Sequence, residues 1–213
     1  MLRVAGVVAY YYMTAVEKFG GCPQLLRTDC GTENVKLAAL QSLLRQTSST
    51  THMYGTSPAN QRIEAWWSHL RRGRTQWWLD LFASFTNSGT FHTGHVLETD
   101  CLRFCFMNLL RQDLREAVIQ WNTHRIRPSR GARCPAGIPD ELFFLPPAPA
   151  INCLDTNLPV IDVNLAQVLV TPSICADEDF GNHLMTLCQQ NGWSAPANVD
   201  EAAVLYRHLQ QLI

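Results

Sequence analysis

The 213-residue sequence lacks the features that mark a secreted or membrane-spanning chain. No run approaches the roughly 20 consecutive apolar residues that a helix needs to cross a bilayer. The N-terminus has no charged segment followed by an apolar stretch and a small-residue cleavage pattern, the three parts of a secretory signal. We therefore expect an intracellular, soluble protein in the nucleus or cytoplasm, with no membrane partner.

The eight cysteines also lack the spacing pattern of a structural zinc site, because none of them forms a C-x-x-C pair. Structural zinc sites commonly use such closely spaced pairs. Reduced and mostly buried thiols are therefore expected in an intracellular chain of this size. One alternative stays open: His92 and His95 precede Cys101 in "FHTGHVLETDC", and these three side chains would be the ligands of a zinc module.

Basic residues are nearly absent from the C-terminal part. Residues 140–213 hold Arg207 as their one Lys or Arg against nine acids, a net charge of −8, whereas residues 1–139 hold 16 Lys and Arg against nine acids, a net charge of +7. Two parts of opposite charge are expected to have different partners. We place a domain over residues 1–145 and an acidic C-terminal region, suited to a protein partner, over residues 146–213.

Hydrophobic periodicity predicts an α/β protein with long amphipathic helices and two short strands. The first helix ends before Gly20-Gly21, a helix-stop signal. The strands are "PQLLRTD", which ends at Asp29, and residues 52–54. The predicted helices cover residues 3–19, 33–46, 60–85, 96–124, 178–190 and 199–211.

The helix predicted at residues 60–85 carries an aromatic stripe at i, i+3 and i+4 spacing. Four of its tryptophans stand at positions 66, 67, 77 and 78. We expect these rings to be core residues rather than platforms for nucleic-acid bases. At 3.6 residues per turn, Glu64 falls roughly 100° from the centre of the stripe, on the rim between core and solvent.

Asp29, in "RTDCGTEN", has two interpretations. In one it is a turn residue, and Thr32 caps a helix that begins near Glu33. In the other it lies at the carboxyl end of a strand, where open α/β sheets keep their functional groups. A second carboxylate at Glu64 favours the latter, because two such side chains can converge on hard divalent cations that take oxygen ligands. Paired ions roughly 4 Å apart catalyse phosphodiester chemistry.

Three stretches together resemble the integrase core domain of retroviruses and transposable elements, in the branch found as integrase-core-domain proteins in animal genomes. They are "GGCPQLLRTDCGTEN", "YGTSPANQRIEAWWSHLRRGRTQWW" and "WNTHRIRPSRGARCPAGIPDEL". The resemblance covers about residues 3–145. It implies a ribonuclease H-like fold, DNA as partner, and polynucleotidyl transfer with Mg²⁺ or Mn²⁺ held by three acids. By motif match, Asp29 is the second of these acids and Glu64 the third.

The first acid of that set has no counterpart in this sequence. The resemblance places it on a strand upstream of the helix at residues 3–19, and Met1 and Leu2 are the residues before that helix. Glu33 is more typical of a residue that compensates a helix dipole than of a substitute ligand. We therefore expect a core truncated at its N-terminus, impaired metal binding and no strand transfer, which leaves open whether the protein is an enzyme.

Two groups of arginines are expected to hold nucleic-acid phosphates, because guanidinium groups bind phosphate oxygens in a bidentate manner. They are Arg62, Arg71, Arg72 and Arg74 around Glu64, and Arg125, Arg127, Arg130 and Arg133 further along the chain. The alternative is a solvated helix face, with Arg74 lying over the tryptophans. The leading hypothesis is a nucleic-acid-binding integrase remnant. The alternative is a domesticated, non-enzymatic interaction protein that uses its acidic C-terminal region, and an oligomer is compatible with both.

Overall fold

The computed structural model describes residues 2–47, 49–55, 61–128, 130, 135–145, 154–158 and 169–213. These ranges are mostly helical, with short strands. The chain divides into two compact units. The first comprises Met1–Ala65 and Phe144–Pro172, and the second comprises Trp66–Phe143 and Ser173–Ile213. The charge boundary at residue 146 marks a change in composition, and most of the acidic region that follows it groups with the second unit.

In the first unit, two helices contact each other, α1 at Leu2–Phe19 and α2 at Val35–Arg45. The first confirms the helix predicted over residues 3–19. A single 3-10 turn, Thr32–Asn34, precedes α2, and no side chain caps it. The expectation that Thr32 caps the helix was wrong, because Thr32 is the first residue of this turn and lies inside the helical path.

The strands form two small pairs in the first unit. They are β1 (Cys22–Pro23), β2 (Leu26–Thr28), β3 (His52–Tyr54) and β4 (Leu154–Asp155). β1 pairs antiparallel with β4, and β2 pairs parallel with β3, with Leu26 opposite His52 and Thr28 opposite Tyr54. The predicted strand at residues 52–54 is confirmed. The described sheets are therefore smaller than the helical part of the molecule.

The core of the first unit is a small apolar cluster with a polar centre. Its buried apolar members include Val16, Cys22 and Leu44. Gln41 is fully buried, and it accepts a hydrogen bond from the Tyr12 hydroxyl and donates its amide to the Pro23 carbonyl at 2.6 Å. Burial raises the pKa of Tyr12 well above its usual value, which keeps the hydroxyl protonated. Because its amide is paired on both sides, Gln41 ties α1, α2 and β1 together at little desolvation cost.

The second unit is helical. Its elements are the end of α3 (Gln61–Leu70), a π-helical segment (Arg71–Thr75), α4 (Gln76–Asn87), α5 (Val96–Thr123), α6 (Pro139–Phe144), α7 (Glu178–Asn191) and α8 (Val199–Gln210). The helix predicted over residues 60–85 is thus a continuous helical path with a π-helical segment in its middle. Within the described ranges, no helix has both the length and the apolar character needed to cross a bilayer.

Helices α4, α5, α7 and α8 build one apolar core. Its buried residues are Trp78, Cys101, Cys105, Phe106, Leu184, Cys188, Ala202, Leu205, Tyr206 and Leu209. Phe106 packs edge-to-face against Phe82, with ring centroids 5.5 Å apart, and Tyr206 stacks parallel to Phe85 at 6.3 Å. More than half of the cluster comes from α7 and α8, so these acidic helices are structural parts of the second unit.

A buried carboxylate fixes the start of α7. Asp100 on α5 is 1% exposed. It accepts hydrogen bonds from the backbone N–H groups of Ala176 at 3.0 Å and Asp177 at 3.2 Å, and from the Arg103 guanidinium at 3.1 Å. Asp177 in turn caps α7. Three donors compensate the buried charge, so Asp100 anchors the C-terminal helices to α5.

Candidate nucleic-acid interface

Asp29 lies directly after β2, at the carboxyl end of a parallel strand pair. Its Oδ1 accepts hydrogen bonds from the Gly31 N–H at 3.3 Å and from the Asn34 side-chain amide at 2.8 Å. The side chain is exposed. Both interpretations of Asp29 therefore describe part of its geometry, because it ends a strand and also holds the turn that follows.

Further polar groups gather at this edge of the β2–β3 pair. Thr28 Oγ1 lies 3.0 Å from His52 Nε2, and its carbonyl accepts a hydrogen bond from the Gly55 N–H at 2.7 Å. The Arg27 guanidinium lies so close over Gly55 that a Cβ there would come within 2.2 Å of its Nε. Arg27 and His52 were not among the site residues predicted from the sequence. The signal for Arg27 was its position two residues before Asp29, since i and i+2 share one face of a strand.

Glu64 occupies the first turn of α3 and is exposed. A carboxylate there is stabilised by the positive end of the helix dipole. Asp29 and Glu64 belong to the same unit. Their roles as metal ligands stay a prediction from the motif match. Residues 56–60, which precede α3 in the sequence, lie outside the described residues.

The two carboxylates have the right chemistry for Mg²⁺ or Mn²⁺ but do not make a complete site. Both ions prefer oxygen ligands, and tight sites gather several of them around the ion. In the part of the chain that the structure describes, no three His, Cys, Asp or Glu side chains converge closely enough to hold a metal ion. Among the described residues, Asp29 and Glu64 therefore have no third such ligand close by, and their assignment to the metal centre of the motif stays a prediction.

The proposed zinc ligands serve other purposes. His92 binds the Glu98 carboxylate with its backbone N–H at 2.8 Å and with its ring Nδ1 at 3.1 Å. Burial opposes ionisation of Glu98, but the hydrogen bonds from His92 outweigh it and lower the pKa of the carboxyl. His95 caps α5 and Cys101 is buried in the core. Nothing in the described geometry supports a zinc module.

The tryptophan stripe is not uniformly buried. Trp78 is 6% exposed and its Nε1 donates to Asp113 Oδ2 at 2.9 Å, whereas Trp67 and Trp77 are each more than half exposed. The expectation that all four rings are core residues was wrong for these two. Consecutive residues on a helix point about 100° apart, so neither Trp66 and Trp67 nor Trp77 and Trp78 can face the core together.

Arg74 is partly buried and is paired with two acids of α5. Its guanidinium forms an ion pair with Asp113 and lies 3.5 Å from Glu116. The hydrogen bond to Asp113 is the main cause of the raised pKa of Arg74. Because its charge is already compensated, Arg74 positions the π-helical segment against α5.

The other described arginines of the two predicted groups are exposed. Arg71 and Arg72 lie in the π-helical segment, and Arg125, Arg127 and Arg130 follow the end of α5. The Arg62 side chain and the whole of Arg133 lie outside the described residues. Exposed guanidinium groups are available to bind phosphate oxygens.

A cleft between α3 and α5 lies beside the two segments that carry the arginine groups. This α3–α5 cleft has a volume of about 280 Å³, and its lining includes Trp66, His69, Gly73, Gln120, Trp121 and His124. In the sequence, Arg71 and Arg72 lie between the lining residues Leu70 and Gly73, and Arg125 and Arg127 follow the lining residue His124. The cleft thus brings together the two segments that carry the arginine groups, which are more than 50 positions apart in the sequence.

A model of the family described as the integrase core domain matches residues 3–143. This is well over half of the chain, and the protein belongs to the integrase core domain family. Membership supports the ribonuclease H-like fold class and an origin in a retroviral or transposon-type integrase, for which the β2–β3 pair and the helices around it are compatible α/β elements. No curated protein and no solved structure matches the chain.

Proposed function

We propose that this protein binds nucleic acid through the arginines beside the α3–α5 cleft, in the nucleus or cytoplasm. The observation that carries the proposal is the α3–α5 cleft of the second unit, which brings the segment of Arg71 and Arg72 close to the segment of Arg125 and Arg127. Phosphate contacts from arginine supply most of the affinity in sequence-independent binding. Membership of the integrase core family supports nucleic acid as the partner.

The test is binding of a short labelled DNA duplex and of the corresponding single strand, followed by fluorescence anisotropy. Arg72→Gln and Arg127→Gln are each expected to weaken binding about fivefold, the equivalent of about 1 kcal/mol for one lost charged contact. The matched control is Arg207→Gln, because Arg207 is also exposed but lies on α8 among acids. Equal affinities for all four proteins would overturn the proposal.

We also infer that the acids described here do not complete a strand-transfer site. The family implies divalent metal ions held by three acids, and Asp29 and Glu64 match two of them. The inference is supported by the hydrogen bonds that already occupy Asp29 Oδ1, from Gly31 and Asn34. Binding of Mg²⁺ or Mn²⁺ by these two carboxylates should therefore be weak.

Calorimetric titration with Mn²⁺ tests this inference without any DNA substrate. Wild type and Asp29→Asn are expected to give the same weak, unsaturated heats. Glu178→Gln, which removes an exposed carboxylate from α7, serves as the control for nonspecific binding. Saturable binding in wild type that Asp29→Asn abolishes would show that the metal site is complete.

A second candidate function is recruitment of a protein partner by the acidic C-terminal region. It is favoured by a groove of about 430 Å³ at the turn between α7 and α8, whose lining includes Trp193, Asp200 and Val204. An apolar wall beside an acid suits a basic amphipathic helix. A Lys/Leu-repeat peptide should bind the full chain and should bind Asp200→Lys more weakly, while the control Asp179→Lys keeps wild-type affinity. Equal binding by the three proteins would exclude this function.

A further inference from the structure

The walls of the α3–α5 cleft are aromatic on both sides. Trp66 and His69 line it from α3, and Trp121 and His124 line it from α5. The Trp121 ring centroid lies 5.3 Å from that of His69 and 4.7 Å from that of His124. A volume of about 280 Å³ is at the lower end of small-molecule sites, so the cleft accommodates one flat group.

The cleft also offers hydrogen-bonding groups at its edges. Gln120 contributes a side-chain amide, which has both donors and an acceptor. His124 Nδ1 donates to the Trp121 carbonyl, so Nε2 of the neutral ring is an acceptor. Flat apolar faces combined with donors and acceptors at the rim are the features that proteins use to hold a nucleobase.

The charge beside the cleft specifies an anionic ligand. Arg74 is compensated by Asp113 and Glu116, and therefore contributes little to this charge. Arg71, Arg72, Arg125 and Arg127 are exposed, and each lies within three positions of a lining residue in the sequence. A ligand with one aromatic ring and flanking negative charges fits both properties, and a nucleotide within a strand has both.

We propose that the α3–α5 cleft takes one unstacked base of a single-stranded nucleic acid, while the neighbouring phosphates contact the arginines. The proposal rests on the nucleic-acid binding proposed above and adds the form of nucleic acid that is recognised. In a duplex the base faces are covered by their stacked neighbours, and exposing one requires unpairing. The cleft therefore favours a single strand over a duplex of the same sequence.

The experiment compares two labelled single strands with the full chain: an oligothymidylate, and a deoxyribose-phosphate strand of equal length without bases. Removing one stacking platform is expected to weaken binding of the oligothymidylate by about 5- to 150-fold. Trp121→Ala should show this loss and leave binding of the strand without bases unchanged. Trp67→Ala is the matched control, because Trp67 is exposed beside Trp66 but does not line the cleft.

Gly73→Leu is a second variant that does not depend on removing a half-buried ring. Gly73 lines the cleft, and a Cβ there meets no heavy atom within 4 Å. Leu is a good helix former, so the variant should fold and should reduce binding of the oligothymidylate by partly filling the cleft.

Three outcomes of these binding measurements decide whether the cleft binds a base. Base-dependent losses in Trp121→Ala and Gly73→Leu, with Trp67→Ala unchanged, support the proposal. Equal wild-type affinity for the strands with and without bases, or wild-type affinity in both cleft variants, overturns it and leaves arginine-mediated binding intact. A wild-type protein that binds neither strand nor the duplex overturns the proposed function itself.

Discussion

The two units of this protein differ in the interactions that stabilise each of them internally. The second unit has an extended apolar core in which aromatic rings from α4, α5 and α8 contact one another. The first unit has short strands, a small apolar cluster and a fully buried glutamine at its centre. The second unit also carries the aromatic cleft and its arginines, whereas the first carries Asp29 and Glu64.

This difference indicates that the proposed nucleic-acid surface and the two carboxylates depend on different kinds of support. The large apolar core holds α5, which forms one wall of the cleft, in a fixed position, because close-packed side chains leave few alternative arrangements. The edge that carries Asp29 is fixed by individual hydrogen bonds, which contribute about 0.5–1.5 kcal/mol each. The α5 wall of the cleft therefore has more extensive structural support than the edge that carries Asp29.

The largest effect is expected from Phe106→Ala in the core of the second unit. Phe106 is 2% exposed, and removing such a ring typically costs about 3–5 kcal/mol. All six tryptophans belong to this unit, so denaturation followed by tryptophan fluorescence reports on it alone. The control is Ile119→Ala on the same helix, where the exposed side chain should change the unfolding free energy by less than about 0.5 kcal/mol.

A smaller effect is expected from Gln41→Leu in the first unit. The change leaves the Tyr12 hydroxyl and the Pro23 carbonyl without their partner, which costs about 1–3 kcal/mol. Hydrogen exchange of α1 and α2 should accelerate, and the tryptophan transition should stay unchanged. Leu43→Ala, an exposed change on the same helix, is the control. Equal destabilisation of both units would contradict the view that the two units are stabilised independently.

The second unit should lose stability at alkaline pH through Cys175. Burial and the nearby Asp100 carboxylate raise the pKa of this thiol to about 11. Between about pH 8.5, where an unfolded thiol ionises, and pH 11, the unfolded chain releases a proton that the folded chain retains, so stability falls as pH rises. Cys175→Ser should make this decline shallower. Cys30→Ser, which removes an exposed thiol of the first unit, should leave the slope unchanged.

The smallest effect is a stabilisation. Gly73 lies in the π-helical segment with room for a Cβ, so Gly73→Ala should stabilise the second unit by about 0.5–1 kcal/mol. Gly192 ends α7 with φ +68°, in the left-handed region. Gly192→Ala should therefore destabilise by about 1 kcal/mol. Thermal denaturation followed by tryptophan fluorescence should show a higher unfolding midpoint for Gly73→Ala and a lower one for Gly192→Ala. Midpoint shifts of the same sign would contradict the backbone conformations assigned to these two glycines.

Helices with strong local signals could be predicted from the sequence. The predicted ranges 3–19 and 96–124 differ from α1 and α5 by one residue at an end, because periodicity and stop signals are local. The short helix α6 was missed, although Pro139 at its first position and the acids that follow are helix-start signals. Strands β1 and β4 have two residues each and pair across more than 130 positions, so no local pattern indicated them.

The candidate site could be predicted only in part. The motif placed Asp29 at a strand end, as found, and the arginine groups were identified by their chemistry. The meeting of the two segments at one cleft depends on the π-helical segment packing against α5, for which Arg74 and Asp113 provide a contact 39 positions apart. A single sequence has no signal for such a pairing. The exposure of Trp67 and Trp77, by contrast, follows from the roughly 100° between consecutive helix residues and could have been predicted.

The most direct test of the central claim is the salt dependence of single-strand binding. The slope of log affinity against log salt counts the phosphates that the protein neutralises. The double variant Arg72→Gln/Arg127→Gln is expected to reduce the magnitude of this slope by about 1.4, or about 0.7 for each lost phosphate contact. Arg207→Gln should leave it unchanged. A slope that is the same in wild type and the double variant would contradict binding through the arginines of the α3–α5 cleft.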